Sequence, residues 1–328
     1  MAGGTCARLA AAVTSAGGFG FIQTGYDPAE KFEKELFTAR EILGTSRNEP
    51  LRIGVGFIGW ILDERPELGR DLIPLALQNR VSALWFAFGA DLRRWIQLAR
   101  TAEAELGYGQ QTPIFVQLSS PQEAVQAVEQ WGADVIVAQG IEAGGHGSAT
   151  APPLLSLIPS TLAALRSAGL QDVPVLATGG LARGSQVAAV LALGADGAVL
   201  GTRFLLSHQS LYTDAQKKVL QEADATSTVR SMAFDYSRWT VGWPAGIDGR
   251  GVRNRAVEEL EDGSKPEELR ERYAEAVKEG RTDRAVVWSG QGVGLVSEVA
   301  DASDIVRELH EEAVLHLRAS AGDILDAP

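Results

Sequence analysis

Short apolar runs alternate with helix-like stretches from about residue 5 to residue 206. Continuous apolar runs of this length are typical of strands that a parallel sheet buries on both faces. Seven such strands are predicted, beginning at Phe19, Leu51, Val81, Pro113, Val135, Val173 and Gly197. A (β/α) barrel is the fold class that this alternation fits best.

The number of strands leaves two architectures open, because a closed barrel of this class has eight strands. One is an open, doubly wound sheet. The other is a TIM (β/α)8 barrel whose first strand is truncated, with Met1-Ala2-Gly3-Gly4 as the far end of that strand. Residue patterns alone do not decide between them.

Three domain segments are predicted from the change in pattern along the chain. Residues 1–206 form the barrel, and residues 207–285 form an inserted lobe with helices at 209–224 and 264–279 and an irregular part at 225–255. Trp239, Trp243 and Arg250 in that irregular part either shape substrate access or belong to a packed aromatic cluster. Residues 286–328 hold a second glycine-rich loop and a C-terminal amphipathic helix that packs back on the barrel.

Composition excludes several classes of partner. Thirty basic and 42 acidic residues give a net charge of −12, which repels nucleic acid and anionic membrane surfaces. No apolar run is long enough to cross a bilayer. The single cysteine, Cys6, provides neither a disulfide framework nor a cluster for zinc, so a reducing compartment, the cytoplasm, is expected and no metal site is predicted.

The stretch from Ala138 to Ser148 is the first candidate site. The apolar run Val135-Ile136-Val137 leads directly into a loop that places His146 among glycines. Such a loop lets backbone approach a ligand closely and gives imidazole a fixed position. The alternative is an ordinary tight turn in which the histidine has no special role.

Two further glycine turns follow the sixth and seventh predicted strands. Thr178-Gly179-Gly180 and Gly201-Thr202 would present backbone N–H groups to a phosphate, at the place where α/β barrels commonly bind one. The alternative is that both turns are ordinary connections that bind no ligand. Their position favours a phosphorylated cofactor.

Taken together, these motifs resemble the nitronate monooxygenase family, formerly called 2-nitropropane dioxygenases. The segments that carry the resemblance are 11–20, 142–146, 177–180, 193–204 and 288–291. The wider superfamily also contains flavin-dependent enoyl-acyl-carrier-protein reductases and NAD(P)H:quinone reductases on the same barrel. The resemblance favours the truncated TIM barrel with a smaller helical lobe over the doubly wound sheet.

The resemblance implies that FMN is the cofactor and assigns its contacts. Gly179, Gly180, Gly201 and Thr202 would hold the phosphate, and Thr178 would lie near the ribityl chain. The flavin itself would be contacted by Gln117, Gln139, Gly140, Gly144, Gly145 and Ser289. Gln117 stands where relatives often have lysine, so it brings no positive charge to stabilise a negative flavin.

The implied reaction is the oxidation of alkyl nitronates, such as propionate 3-nitronate, by O2 to a carbonyl compound and nitrite. His146 matches the catalytic histidine of the family, and imidazole titrates near neutral pH, as suits a base that takes a proton from the carbon beside a nitro group. The alternatives are an NAD(P)H-dependent FMN reductase of quinones or enoyl thioesters, and an inactive flavin-binding homologue. The oligomeric state is left open.

The start of the chain departs from the family pattern, in which an apolar first strand precedes the loop matched by Met1 to Gly4. The favoured interpretation is that Met1 is internal to a longer protein; the other is a barrel that is open on one side. An open barrel would expose strand edges. We therefore expect poor stability or weak flavin retention.

Overall fold

A computed structural model describes residues 3–109 and 111–325, with side-chain surroundings up to residue 319. The strands are β1 (Phe21–Gln23), β2 (Leu51–Ile58), β3 (Val81–Ala87), β4 (Ile114–Leu118), β5 (Val135–Gln139), β6 (Gly145–Ser148), β7 (Val175–Thr178), β8 (Gly197–Val199), β9 (Thr228–Ser231) and β10 (Ile247–Val252). Seven of them form one parallel sheet in the order β1-β2-β3-β4-β5-β7-β8. The predicted strands are therefore confirmed, each within two residues of its expected start.

Helices surround this curled sheet. They are α1 (Ala7–Ser15), α2 (Ala29–Leu43), α3 (Gly59–Glu64), α4 (Pro66–Gln78), α5 (Leu92–Leu106), α6 (Pro121–Gln126), α7 (Leu154–Ser167), α8 (Gly184–Ala192), α9 (Thr202–Leu205), α10 (Asp214–Glu222), α11 (Ala233–Arg238), α12 (Arg255–Glu261), α13 (Pro266–Lys278) and α14 (Ala302–Leu325). In the described residues, no helix has both the length and the apolar character needed to span a membrane.

The interior of the barrel holds a layer of aromatic rings. Phe21 on β1 lies 5.1 Å from Trp85 on β3 and 5.5 Å from Phe115 on β4, measured between ring centroids. Gly54 on β2 leaves room for them, because a Cβ at that position would overlap the ring of Phe21. The opposite faces of the strands pack under the helices, as the fully buried Ile53 and Val55 illustrate.

The barrel does not close through its sheet, since no strand within residues 3–109 and 111–325 links β8 back to β1. An apolar cluster composed of Cys6, Leu9, Phe204, Ala302 and Ile305 joins α14 to α1, which precedes β1, and to α9, which follows β8. Met1 and Ala2, on which the interpretation of a truncated first strand depends, lie outside the described residues.

A second sheet corrects the prediction for residues 225–255. That segment was expected to be irregular, yet it contains β9, α11 and β10, and the antiparallel order is β6-β10-β9. The lobe therefore holds strands as well as helices, and β6 reaches it from the loop after β5. The domain boundaries at residues 206 and 285 stay a prediction.

Candidate active site

His146 lies on β6, where the antiparallel pairing places it opposite Gly249 of β10. Its Nε2 atom is 2.9 Å from Oδ1 and 3.0 Å from Oδ2 of Asp235. The imidazole also stacks on the indole of Trp243, with ring centroids 3.5 Å apart and an interplanar angle of 11°. Both contacts fix the orientation of the ring.

Asp235 is the functional candidate that the sequence analysis missed. It is fully buried on α11, and its Oδ1 atom also accepts hydrogen bonds from Thr240 Oγ1 (2.8 Å) and Trp243 Nε1 (3.1 Å). Nothing in the local sequence marks this carboxylate, because its partner His146 lies 89 residues away in the chain.

Aromatic rings form one wall of the site, and Trp243 is part of this wall. The Trp243 ring lies 5.2 Å from Trp60 and 5.4 Å from Phe88, and Trp288 approaches His146 to 4.7 Å from another side. Gly249 permits this approach, because a Cβ there would overlap the indole of Trp288. Trp243 therefore belongs to an aromatic cluster that includes the histidine, whereas Trp239 is exposed and lies under Arg270.

The predicted glycine loops meet beside the histidine loop. A Cβ on Gly179 would lie 3.1 Å from the carbonyl oxygen of Gly140, and a Cβ on Gly180 would lie 2.7 Å from Cβ of Glu142. Gly144 packs against the backbone of Ser289 and Gly290 so closely that it has no room for a side chain. The three loops after β5, β7 and residue 288 are therefore brought together at one end of the sheet.

The glycines and threonines of the predicted phosphate site lie at this same end of the sheet. Gly179 and Gly180 have φ angles of +125° and +67°, values that favour glycine. Gly201 and Thr202 are partly accessible at the start of α9, and Thr202 Oγ1 accepts a hydrogen bond from the Gly290 amide (2.9 Å). Thr178 Oγ1 donates to the Val199 carbonyl (3.0 Å).

The glutamines and Ser289 differ in their surroundings. Gln117 on β4 pairs in register with Val137 and is partly accessible. Gln139 Nε2 donates to the carbonyl of His146 (3.0 Å), and its buried Oε1 has no hydrogen-bond partner among the described residues. Ser289 is fully buried, and its hydroxyl donates to the Gly290 carbonyl (3.2 Å).

Gly145 completes the predicted set, and the space around it is open. No described atom lies within 4 Å of the position that a Cβ would occupy there. Its partner across the sheet is Arg250, a buried residue whose Nη2 donates to the Ile141 carbonyl (3.2 Å). Burial, and then the charge of nearby Arg230, lower the pKa of Arg250. Through these contacts, Arg250 holds the loop between Ile141 and Gly145 in place.

Tyr212 holds the late loop in place. The backbone amide of Trp288 donates to the Tyr212 hydroxyl oxygen at 3.0 Å. Burial raises the pKa of Tyr212, so this phenol stays protonated across the physiological range. Trp288 and Ser289 are thereby fixed relative to His146 and Gly144.

The residues present fit a flavin phosphate. Adjacent glycines with left-handed backbone and a nearby threonine hydroxyl are the neutral donors that bind phosphate groups in backbone concavities. The buried Oε1 of Gln139, which has no hydrogen-bond partner among the described residues, lies beside Gly147 in the histidine loop.

Known proteins with similar sequences identify the family of this chain. The family model described as nitronate monooxygenase matches residues 73–312. A nitronate monooxygenase of Neurospora crassa is 36% identical over 323 residues, which cover 93% of this chain and 85% of that protein. The chain belongs to the nitronate monooxygenase family. The predicted family and the predicted class, an oxidoreductase, are therefore confirmed.

Two solved structures support the fold. One is a nitroalkane oxidase from Streptomyces ansochromogenes, 28% identical, with a TM-score of 0.75 and coverage of 97% of this chain and 94% of the other. The other is FabK from Thermotoga maritima, 25% identical, with a TM-score of 0.77 and coverage of 98% and 93%. The TIM-barrel class predicted for this member of the nitronate monooxygenase family is confirmed.

Proposed function

We propose that this chain is an FMN-dependent nitronate monooxygenase that oxidises alkyl nitronates, such as propionate 3-nitronate, with O2 to a carbonyl compound and nitrite. The observation that carries the proposal is the position of His146, which is held rigidly beside three interlocking glycine loops that suit a flavin. Membership of the family supports the same reaction.

The residues that would hold FMN follow from the predicted set. Gly179, Gly180, Gly201 and Thr202 would bind the phosphate, with Thr178 beside them. Gln117, Gln139, Gly140, Gly144 and Gly145 would line the flavin, with Ser289 in the late loop closing that side. When bound, FMN supplies the electron transfer and the oxygen chemistry.

The chain's own contribution is to bind and orient the substrate and to handle its proton. With a neutral nitroalkane, His146 takes the proton from the carbon beside the nitro group. With a nitronate, which has already lost that proton, the same imidazole orients the anion. Trp243 and Trp288 exclude water from two sides of the ring.

A reconstitution experiment tests the proposal. The purified protein is loaded with FMN, and ethylnitronate or propionate 3-nitronate is added in air while oxygen uptake and nitrite are measured. Oxygen uptake with nitrite release is expected. Flavin bleaching by NADH without air, with no nitrite from nitronates, would favour the reductase, and failure in both assays would favour an inactive homologue.

The role of His146 has its own test. The His146→Ala variant should lose turnover of neutral nitroalkanes by about 10²–10⁴-fold, the usual contribution of a general base, and should lose less with nitronates. Equal losses with both substrates would contradict the assignment of His146 as a base.

A further inference from the structure

The carboxylate of Asp235 determines which imidazole nitrogen of His146 is basic. An ionised carboxylate only accepts hydrogen bonds, and neutral imidazole carries one N–H. Both carboxylate oxygens lie at hydrogen-bond distance from Nε2, so that nitrogen is the one that carries the hydrogen. The other nitrogen, Nδ1, then keeps its lone pair.

We propose that Asp235 fixes His146 as the Nε2–H tautomer and thereby makes Nδ1 the atom that accepts the substrate proton. This inference rests on the function proposed above. Asp235 touches neither substrate nor cofactor in this account, so it is a positioning residue. No described residue forms a hydrogen bond with Nδ1, which leaves that nitrogen available.

The ring cannot easily exchange its two nitrogens. Trp243 covers one face at 3.5 Å, and the main-chain carbonyl of His146 accepts a hydrogen bond from Gln139. The backbone is also paired with Gly249 across the sheet. A flip of the imidazole would break the bond to Asp235 and leave a fully buried carboxylate with one partner fewer.

The proton transfer itself is then simple. The C–H bond beside the nitro group breaks, its electron pair forms the C=N bond of the nitronate, and the negative charge passes to the nitro oxygens. The proton goes to Nδ1, and the imidazolium that results lies against the Asp235 carboxylate through Nε2. In the histidine–aspartate pairs of hydrolases, likewise, one imidazole nitrogen donates to the carboxylate and the other accepts the proton.

Leucine at this position gives a sharp test, because it is close to aspartate in shape but has no hydrogen-bonding atom. Asparagine is less informative, since Thr240 and Trp243 both donate to Oδ1 and an amide oxygen held there would still accept from Nε2 of His146 at 2.9 Å. In Asp235→Leu the acceptor of the Nε2 hydrogen is gone, so the Nε2–H tautomer is no longer imposed and part of the molecules carry the hydrogen on Nδ1.

Nitrogen-15 NMR of the protein labelled at histidine measures this directly, in alkaline buffer where imidazole is neutral. The chain has four histidines, and the signals of His146 are those that disappear in His146→Ala. The natural protein should show only the Nε2–H tautomer, and Asp235→Leu should show a detectable fraction of the Nδ1–H tautomer. A natural protein with hydrogen on Nδ1 would overturn the proposal, even if the variant failed to fold.

Kinetics of the FMN-loaded protein give the second readout. Asp235→Leu should lower turnover of neutral nitroalkanes at least about 10-fold, because the tautomer is no longer fixed and the imidazolium loses its carboxylate partner, and should lower nitronate turnover by much less. The matched control is Asp63→Leu, since Asp63 also accepts a tryptophan N–H, from Trp95 at 2.8 Å, and forms no hydrogen bond with His146. It should change neither the tautomer nor the ratio of the two activities.

The two proposals fail in distinguishable ways. If the natural protein turns over no nitronate but shows the Nε2–H tautomer, and Asp235→Leu no longer imposes it, the proposed function is wrong and the role of Asp235 stands. If nitronates are oxidised but Asp235→Leu slows nitroalkanes and nitronates equally, the positioning role is wrong and the proposed function stands.

Discussion

Gly249 shows how closely the side chains around His146 are fitted. It lies opposite the histidine in the β6–β10 pair, and the Trp288 indole occupies the space above it. A Cβ at this position would also lie 3.5 Å from Nε2 of His146. The absence of a side chain at residue 249 therefore sets the distance between Trp288 and the histidine.

The variant Gly249→Ala should impair catalysis, because the added methyl group must displace the Trp288 ring or β10. Misplacing a catalytic group by about 1 Å costs up to about 100-fold in rate, so we expect kcat/KM for ethylnitronate to fall about 10- to 100-fold. Ile247→Val, two residues earlier on β10, is the control that should retain activity. An unchanged kcat/KM in Gly249→Ala would contradict this view of the site.

The contact between α8 and α14 is the element that attaches the C-terminal helix to the barrel. Gly184 begins α8, and a Cβ there would lie 2.6 Å from the backbone nitrogen of Ala313 on α14. Glu312 of α14 accepts a hydrogen bond from the Gly184 amide at 2.9 Å and pairs with Arg183 at 3.2 Å. Close backbone packing and one carboxylate therefore join the two helices.

Replacing Gly184 with alanine should push α8 and α14 apart. Overpacking of this kind destabilises a protein by about 1–3 kcal/mol, which urea unfolding measures as a lower transition midpoint. Ser185→Ala, at the neighbouring position of the same helix, should change the free energy of unfolding by less than about 0.5 kcal/mol. Equal stability of Gly184→Ala and the natural protein would refute the close approach.

Glu312 makes this contact dependent on pH. Burial opposes its ionisation, but the Gly184 amide and the charge of Arg183 outweigh burial, so the pKa of Glu312 lies below its ordinary value of 4.5. A lowered pKa in the folded state means that the stabilisation is complete above pH 4.5 and is lost as the pH falls through the folded value. Glu312→Gln should therefore be less stable than the natural protein at pH 7 and equally stable in acid, as measured by urea unfolding at each pH.

The barrel strands could be predicted from the sequence, whereas the small sheet could not. β3 and β5 are apolar apart from Ser82 and Gln139, and this pattern indicates burial on both faces. β6 reads Gly-His-Gly-Ser and β10 reads Ile-Asp-Gly-Arg-Gly-Val, so neither has an apolar pattern. Their pairing depends on residues about a hundred positions apart, as does the contact of Asp235 with His146.

At the scale of the whole molecule, α14 completes the ring of helices where the sheet is open. Ile305 is fully buried in the apolar cluster with Leu9 and Phe204, so it links the C-terminal helix to the first helix and to α9. The expectation of poor stability came from strand edges alone. This cluster joins the helices on both sides of the open edge, and the expectation of poor stability stays a prediction.

The contribution of this cluster is measured by Ile305→Ala. Deleting a fully buried isoleucine side chain should lower the free energy of unfolding by about 2–5 kcal/mol. Leu315→Ala on the same helix is the matched control, because Leu315 is 66% exposed, and it should have an effect within about 0.5 kcal/mol of zero. Similar effects of the two changes would show that α14 does not hold the barrel together.

His146 and the glycine loops around it are proposed to form the site of a flavin-dependent nitronate oxidation. This proposal is tested by recording nitrite release and oxygen uptake together after ethylnitronate is added to the FMN-loaded protein in air. We expect that both occur, that neither occurs without FMN, and that His146→Ala slows neutral nitroethane more than ethylnitronate. A flavin-loaded protein that consumes no oxygen and releases no nitrite from ethylnitronate or propionate 3-nitronate would contradict it.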